Sequence, residues 1–135
     1  RFIKLIDGAM ERHVDSAGVL ESALGAICNL TARNNQNKEA VLKDGGINRI
    51  CDGMAKHLQQ SGVQRQGCAA LWSLTAHGAR ARAAEEQEGE EVLGLRHIAA
   101  GMGAHDHVAE VQENGCGAIR NLTAYSMENK VAAAG

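Results

Sequence analysis

An internal repeat organises the chain and limits its possible folds more than any other feature. Three segments share one pattern, and they read VLESALGAICNLTA from Val19, VQRQGCAALWSLTA from Val63 and VQENGCGAIRNLTA from Val111. One leucine of this pattern recurs 44 and then 48 residues later, at Leu30, Leu74 and Leu122. Self-similarity at such a period is typical of repeat proteins, whose units bury their apolar faces against neighbouring units.

A second motif repeats with the same two steps. It joins a methionine to a histidine three residues later, at Met10 and His13, Met54 and His57, and Met102 and His105. The additional residues of the longer step fall between Leu74 and Leu95, where five carboxylates crowd into residues 85–91. We expect this acidic segment to be a solvated loop, with contact to a basic partner as the alternative.

The spacing of apolar and small residues predicts helices along the whole chain. In the central long segment they recur at intervals of four, three, one and three, at Val63, Gly67, Ala70, Leu71 and Leu74. That spacing places them on one face of an α-helix. Runs of alternating β-branched residues are missing from the sequence. The sequence therefore predicts an all-α fold.

Composition narrows the classes of function. The chain has 135 residues, a formal net charge of −2 and only 2% aromatic residues, so it lacks the basic face and the stacking surfaces of nucleic-acid-binding domains. No apolar run approaches the roughly 18 residues of a membrane span, and no signal-peptide pattern is present. The four cysteines form no CxxC pair, which favours buried thiols, at Cys68 and Cys116 above all, in an intracellular and reducing compartment such as the cytoplasm.

The pattern VQxxGCxALxNLT, followed by NK and GG, resembles the armadillo repeat, and the resemblance covers essentially the whole chain. The copy from Val111 to Lys130 matches the pattern best, and the Met-x-x-His ending is similar to that of a variant armadillo repeat. The resemblance implies a right-handed α-solenoid of about three repeats, each built from a first, a second and a third helix.

The same resemblance implies boundaries. The chain is expected to be one armadillo-repeat region, 1–135, with units near 1–43, 44–91 and 92–135 in the order second, third and first helix. Second helices are expected near 3–13, 47–57 and 95–105, third helices near 17–32, 61–76 and 109–124, and first helices near 36–43, 80–87 and 128–134. Gly45–Gly46 can supply the left-handed stop after the first short helix. Because neither end carries a polar cap, we expect flanking repeats, so that the chain is a fragment of a longer array.

In the resembling family, the third helices line a concave groove where a row of asparagines binds extended peptides. The positions that match this groove and its flanks are Asn29, Ser73 and Asn121, then Ser22, Gln66 and Asn114 two turns earlier, and Trp72 and Arg120 beside them. An amide suits the task because it both donates and accepts hydrogen bonds. The alternative for Asn29 and Asn121 is a hydrogen bond that ties adjacent repeats together. The alternative for Trp72 is packing at a repeat edge rather than an exposed anchor.

Two further groups of residues bear on the groove. Nuclear-import adaptors carry tryptophans at the positions of Gly25, Ala69 and Gly117, so binding of nuclear-localisation signals of that type is not expected. Glu21, Arg65 and Glu113 flank the row and could select partners by charge.

No catalytic or cofactor motif stands out in the sequence. His13, His57 and His105 recur in every repeat near a helix C-terminus, as a structural role predicts and a single active site does not. His105 and His107 could ligate zinc, but no carboxylate or cysteine at ligand spacing completes such a site. We therefore expect no catalytic residue, no metal and no cofactor.

The predicted function is a non-catalytic scaffold or adaptor segment that binds a protein or an extended peptide in its groove. The alternative is a regulatory or structural spacer domain within a larger enzyme of the kinase or ubiquitin-ligase type. The acidic segment 85–91 is the alternative binding surface. Neither nucleic acid nor a membrane is an expected partner.

Overall fold

The computed structural model describes residues 2–76, 88–124 and 134, with side chains described in 2–76, 93–124 and 134. Within these ranges the multi-residue elements are all helices and no strand occurs, which confirms the predicted all-α fold. The helices are α1 (Phe2–Arg12), α2 (Ala17–Thr31), α3 (Asn35–Lys43), α4 (Gly46–Lys56), α5 (Ser61–Leu74), α6 (Glu88–Ala104) and α7 (Ala109–Thr123). The short helices predicted near 80–87 and 128–134 lie outside the described residues, apart from residue 134.

Local sequence signals explain where several helices begin and end. The Ser16 side chain accepts a hydrogen bond from the Val19 amide at 3.2 Å and caps α2. The Asn34 side chain accepts from the Asn37 amide at 2.9 Å and caps α3 in the same way. Gly45 has a φ of +73°. It supplies the predicted left-handed residue between α3 and α4, a conformation that glycine adopts without steric cost.

The start of α6 differs from the prediction. A helix was expected near 95–105, whereas α6 begins at Glu88 and includes residues 88–91 of the acidic segment. The loop interpretation is therefore wrong for these four residues. Glutamate is a good helix former, and negative charge is favoured in the first turn of a helix, where unpaired backbone N–H groups point outward. Residues 85–87 lie outside the described part of the chain.

The helices pack in two rows of equivalent members. In one row α5 lies between α2 and α7 and contacts both, and in the other α4 contacts α6. The pairs α1–α2, α4–α5 and α6–α7 connect the two rows, while α3 packs on α2, α4 and α5. Fully buried aliphatic side chains fill the space between the rows, among them Leu24, Ile50, Leu71, Leu74, Ile98 and Leu122. Leu74 has no exposed surface, as the repeat register predicts.

Glycines in the repeated motif allow the two rows of helices to approach each other closely. A Cβ atom added to Gly67 would lie 2.6 Å from Cγ and Sδ of Met54. A Cβ atom added to Gly115 would lie 2.5 Å from Sδ of Met102 in the next copy. Each glycine therefore makes room for the methionine of the second motif, which explains why the two motifs share one register.

The two cysteines of the repeated motif have different environments. Cys68 is fully buried, as predicted, but Cys116 is exposed, so the prediction of a buried thiol there is wrong. α5 is flanked on both sides by equivalent helices, whereas α7 contacts an equivalent helix only on its α5 side among the described helices. The same repeat position is therefore covered in one copy and open in the other.

Candidate functional site

The candidate site is the surface formed by the outer sides of α2, α5 and α7. These helices correspond to the long pattern of the sequence, and their contacts place equivalent positions side by side. We call this surface the ladder face. It is defined by two rows of polar residues, one of Asn29, Ser73 and Asn121, the other of Ser22, Gln66 and Asn114.

The first row ties neighbouring helices together. Asn121 Nδ2 donates to the Trp72 carbonyl at 3.0 Å. Ser73 Oγ forms a hydrogen bond with the Thr31 hydroxyl at 2.8 Å and lies 3.4 Å from the Cys28 carbonyl. Both carbonyls belong to the preceding copy, one residue before the row position: Trp72 precedes Ser73, and Cys28 precedes Asn29. Asn29 is exposed, and its side chain has no hydrogen-bond partner among the described residues. Two roles were considered for this row, peptide binding and a hydrogen bond between adjacent copies. The Nδ2 group of Asn121 has the second role.

The second row makes one bond of the same kind. Asn114 Nδ2 donates to the Arg65 carbonyl at 3.1 Å. The Gln66 side chain lies against Gly25, where an added Cβ atom would be 3.6 Å from its Cδ and Oε1 atoms. Ser22 is exposed at the start of the row. Gln66 and Ser22 form no side-chain hydrogen bond within the described part of the chain, so their polar atoms can meet a ligand.

Trp72 packs at the edge of the ladder face instead of projecting from it. Its indole ring lies so close to Gly117 that a Cβ atom there would overlap the ring. The ring also packs against the buried core and is only partly exposed. Packing at a repeat edge is thus the alternative that the structure favours for Trp72. Arg120, at the equivalent position of the next copy, is exposed.

An ion-pair bridge crosses the other side of the ladder face. Arg65 Nη2 lies 3.3 Å from Glu21 Oε2 on α2, and its Nη1 lies 3.4 Å from Glu110 Oε2 on α7. An open depression of about 520 Å³ lies beside this bridge at the N-terminal ends of α5 and α7. Because the single positive charge of Arg65 faces two carboxylates, this side of the ladder face has a net negative charge.

Two of the three repeated histidines link adjacent copies. His57 Nε2 donates to the Val14 carbonyl at 2.7 Å, and His105 Nε2 donates to the Leu58 carbonyl at 2.8 Å. Because a carbonyl oxygen only accepts, Nε2 carries the proton in both rings. The structural role predicted for these two residues is right, although they act through a carbonyl of the preceding copy. His13 is exposed.

Sequence reasoning missed a pair of glutamines that join the two long helices within a copy, α4 to α5 and α6 to α7. Gln64 Nε2 donates to the Met54 and His57 carbonyls at 2.9 and 3.0 Å. Gln112 repeats this arrangement with the Met102 and His105 carbonyls at 3.0 and 2.9 Å. Both satisfy backbone acceptors at a helix C-terminus, which have no partner within the helix itself. The signal was present in the sequence, because VQ opens both motif copies.

A cluster of charges lies away from the ladder face, between α1 and α4. Asp7 is only 8% exposed, and its Oδ1 lies 3.2 Å from Arg49 Nη1. Arg49 also pairs with Glu11 at 3.3 Å. Burial raises the pKa of Asp7 to about 6, and a hydrogen bond with Asp44 adds to this, while Arg49 acts in the opposite direction.

The chemistry that the described residues offer is hydrogen bonding. Among them, no three histidine, cysteine, aspartate or glutamate side chains lie close enough to hold a metal ion. None of the helices in the described ranges is long and apolar enough to cross a membrane. Burial raises the pKa of the Cys68 thiol to about 12, so this thiol stays protonated at neutral pH and is a poor nucleophile. The ladder face itself offers amide and hydroxyl groups.

Comparison with known proteins gives one partial similarity. No protein-family model matches the chain, and no solved structure matches it. The chain is similar to the protein aardvark of Dictyostelium discoideum, with 40% identity over 70 residues that cover 46% of this chain. The aligned residues cover only 9% of that relative's length, so the chain corresponds to a small part of it.

Proposed function

We propose that the chain is a right-handed solenoid of three armadillo-type units and that its ladder face binds an extended segment of a partner protein without catalysis. The proposal begins from the repetition of contacts. The bonds of His57 and His105, and those of Ser73 and Asn121, occupy equivalent positions at successive junctions between copies. Those of Gln64 and Gln112 occupy equivalent positions within successive copies. Contacts repeated with one register favour stacking of the units by a constant step, which is how solenoids are built.

Unpaired amide groups on the ladder face carry the functional proposal. Asn29 and Gln66 have no side-chain hydrogen bond among the described residues, and Asn121 and Asn114 use only their Nδ2 atoms there. Their remaining oxygens can accept from the N–H groups of a peptide. The free Nδ2 and Nε2 groups can donate to its carbonyls. The first row supplies amides at Asn29 and Asn121, and the second row supplies them at Gln66 and Asn114.

The spacing of the helices suits an extended chain. Packed helices lie about 8–10 Å apart, and an extended peptide advances about 3.3 Å per residue. One copy therefore meets about every third residue of the peptide. Recognition of this kind fixes the register of the peptide through its backbone and places few demands on its side chains.

The flanks of the ladder face then discriminate among peptides. Glu21 and Glu110 surround Arg65 on one side, so a basic side chain is favoured there. Arg120 is exposed on the other side and favours an acidic one. The middle of the face is shallow because the Gln66 side chain lies against Gly25 and the Trp72 ring covers Gly117, so bulky anchors find no deep pocket.

A selection experiment tests the proposal. A library of random peptides is selected against the folded chain, and the dissociation constant of an enriched peptide is measured for the wild type and for Gln66→Ala. We expect a loss of about 1–3 kcal/mol in affinity, because a peptide group loses its partner. Thermal stability should hold, because Gln66 makes no side-chain hydrogen bond with the described protein.

The control is Asp52→Ala, which changes an exposed side chain on α4, away from the ladder face. It should leave the affinity of the peptide unchanged. Equal affinities for the wild type and Gln66→Ala, or an equal loss in the control, would place the binding surface elsewhere.

A further inference from the structure

A depression of about 410 Å³ opens between α1, α2 and α4 and shares no residue with the two rows of the ladder face. It lies inside the helix stack, at the junction between the first two copies. The apolar part of its lining consists of Met10, Val14, Leu20 and Gly53, and the side chains of Met10 and Leu20 are almost fully buried. The depression can hold one long side chain, and this part of the lining suits an aliphatic one.

The polar part of the lining is acidic. It includes the carboxylates of Glu11, Asp44 and Asp52, and Arg49 is the one basic residue among the described residues that line it. Arg49 Nη2 lies 3.3 Å from Glu11 Oε1, so this pair is already formed. Asp52 is exposed, and its side chain forms no hydrogen bond or ion pair with the described residues. Because three carboxylates face one guanidinium, the lining has a net negative charge.

A fourth carboxylate lies directly behind this lining. Asp7 is only 8% exposed and contacts two of the lining residues, Arg49 by an ion pair at 3.2 Å and Asp44 by a hydrogen bond. When Asp7 and Asp44 are both ionised, Asp7 Oδ2 is buried without a hydrogen-bond donor in the described part of the chain. Such a buried, unsatisfied oxygen is rare in folded proteins and costs stability. The cluster therefore lacks positive charge inside its wall as well as at its surface.

The repeat register shows that stacking of the helices does not require these carboxylates. At the next junction, between α4 and α6, the positions equivalent to Asp7, Glu11, Asp44 and Asp52 hold Cys51, Ala55, Val92 and Ala100. Cys51 is fully buried, so the fold accepts an uncharged side chain at the position of Asp7. Contacts that serve stacking recur in successive copies, as those of His57 and His105 do. A charge cluster that occurs at one junction alone, against the local preference for apolar residues, is typical of a functional site.

The arrangement suits an organic cation better than a metal ion. Within the described residues, no three carboxylate, histidine or cysteine side chains converge closely enough to hold a metal. A guanidinium spreads its donors across a plane and is weakly hydrated, so it can meet separated carboxylates at a partly apolar surface. The aliphatic stem of an arginine matches the apolar part of the lining.

We propose that this depression binds an arginine side chain of a partner protein. The stem packs on Met10 and Val14, and the guanidinium lies among the carboxylates of Asp44 and Asp52. The contact adds a second binding surface to the chain, and it does not depend on the peptide proposed for the ladder face.

Butylguanidinium is a probe that reproduces the arginine side chain up to its Cα atom. The ¹⁵N-labelled chain is titrated with its chloride salt at constant ionic strength, and amide shifts are followed by NMR. We expect saturable changes at residues 10–14 and 44–53. Methylguanidinium has the same charge without the stem and should bind about tenfold more weakly, because a fully buried CH₂ group contributes about fourfold and the three additional carbons are partly buried.

Asp52→Asn removes one charge from the lining without changing its shape and should weaken butylguanidinium by about two- to fivefold, the range for an exposed ion pair. The matched control Asp106→Asn makes the same change at an exposed position after α6 and should leave the affinity unchanged. Circular dichroism verifies that both variants are folded. Equal affinities for butylguanidinium and methylguanidinium would reduce the effect to charge attraction. That result, an equal loss in the control, or shifts confined to α2, α5 and α7 would overturn the proposal.

Discussion

Asn29 and Asn121 occupy the same repeat position in different environments, and replacing each by alanine separates structure from binding. Asn121 donates to the Trp72 carbonyl at 3.0 Å, whereas Asn29 is exposed and has no partner among the described residues. We expect Asn121→Ala to destabilise the fold and Asn29→Ala to leave it nearly unchanged. Both should weaken the binding of a peptide on the ladder face.

The magnitude follows from the end of α5. The Thr75 amide donates to Leu71 and the Ala76 amide donates to Ser73, so neither serves the Trp72 carbonyl. The Thr75 hydroxyl reaches that carbonyl at only 3.4 Å. Asn121 is therefore its principal donor, and removing it leaves a poorly satisfied acceptor at a cost of about 1–2 kcal/mol. Both substitutions gain the same helix propensity of alanine over asparagine, so the difference between the two variants isolates the hydrogen bond.

Urea denaturation measures this difference in the free energy of unfolding. Trp72 is the single tryptophan of the chain, and its fluorescence reports on the site that Asn121 contacts. Far-UV circular dichroism follows the helices as a whole. Ser73→Ala provides an intermediate case with an expected cost of about 0.5–1.5 kcal/mol, because it removes the 2.8 Å hydrogen bond with the Thr31 hydroxyl, while the Cys28 carbonyl keeps the Ala32 amide as a donor at 3.0 Å.

Two results would refute this reasoning. Equal free energies of unfolding for Asn29→Ala and Asn121→Ala would mean that the bond to Trp72 contributes nothing to stability. A loss of stability in Asn121→Ala with full affinity for the peptide would make Asn121 a structural residue alone.

Three further perturbations test the packing and the charge cluster. Leu74→Ala should cost about 2–5 kcal/mol in the free energy of unfolding, because the side chain is fully buried, and a cost below about 1 kcal/mol would mean that the repeat register is wrong. Gly117→Ala should cost about 1–3 kcal/mol and change the fluorescence of Trp72, because the methyl group would overlap the indole. Gly103→Ala, whose methyl group meets nothing, should leave the fluorescence unchanged and gain up to about 1 kcal/mol of helix propensity. The pKa of Asp7 rises from 3.8 to about 6 on folding, so its protonation contributes stability that is complete below about pH 4 and lost as the pH rises through about 6. The free energy of unfolding of the wild type minus that of Asp7→Asn should therefore fall by about 2–3 kcal/mol from pH 4 to pH 7, and a constant difference would contradict the raised pKa.

Periodicity made most of the helices predictable. The pattern indicated helices because an apolar face at a spacing of three and four must be buried. The bounds implied by the armadillo resemblance lie within about two residues of the observed ends of α1 to α5 and α7. The same register predicted the burial of Leu74. The sequence placed the start of α6 too late. The charge of a run of glutamates favours a solvated loop, whereas the helix propensity of glutamate favours the first turn of a helix.

The roles of polar side chains were harder to predict. An amide such as Asn121 suits a peptide backbone and the backbone of a neighbouring helix equally well, so the residue type leaves both roles open. The exposure of Cys116 depends on which helices lie beside α7, and a repeat pattern treats all copies alike. The bonds of Gln64 and Gln112 join residues from two elements, and a pattern within one helix does not reveal them.

Mapping a bound peptide by NMR tests the central claim most directly. The chain is labelled with ¹⁵N and titrated with a peptide selected against it, and the changes in amide and side-chain NH₂ shifts are assigned to residues. The account predicts that the changes follow α2, α5 and α7 and include the side-chain NH₂ groups of Asn29 and Gln66. Changes confined to α1 and α4, or to the acidic segment 85–91, would contradict it.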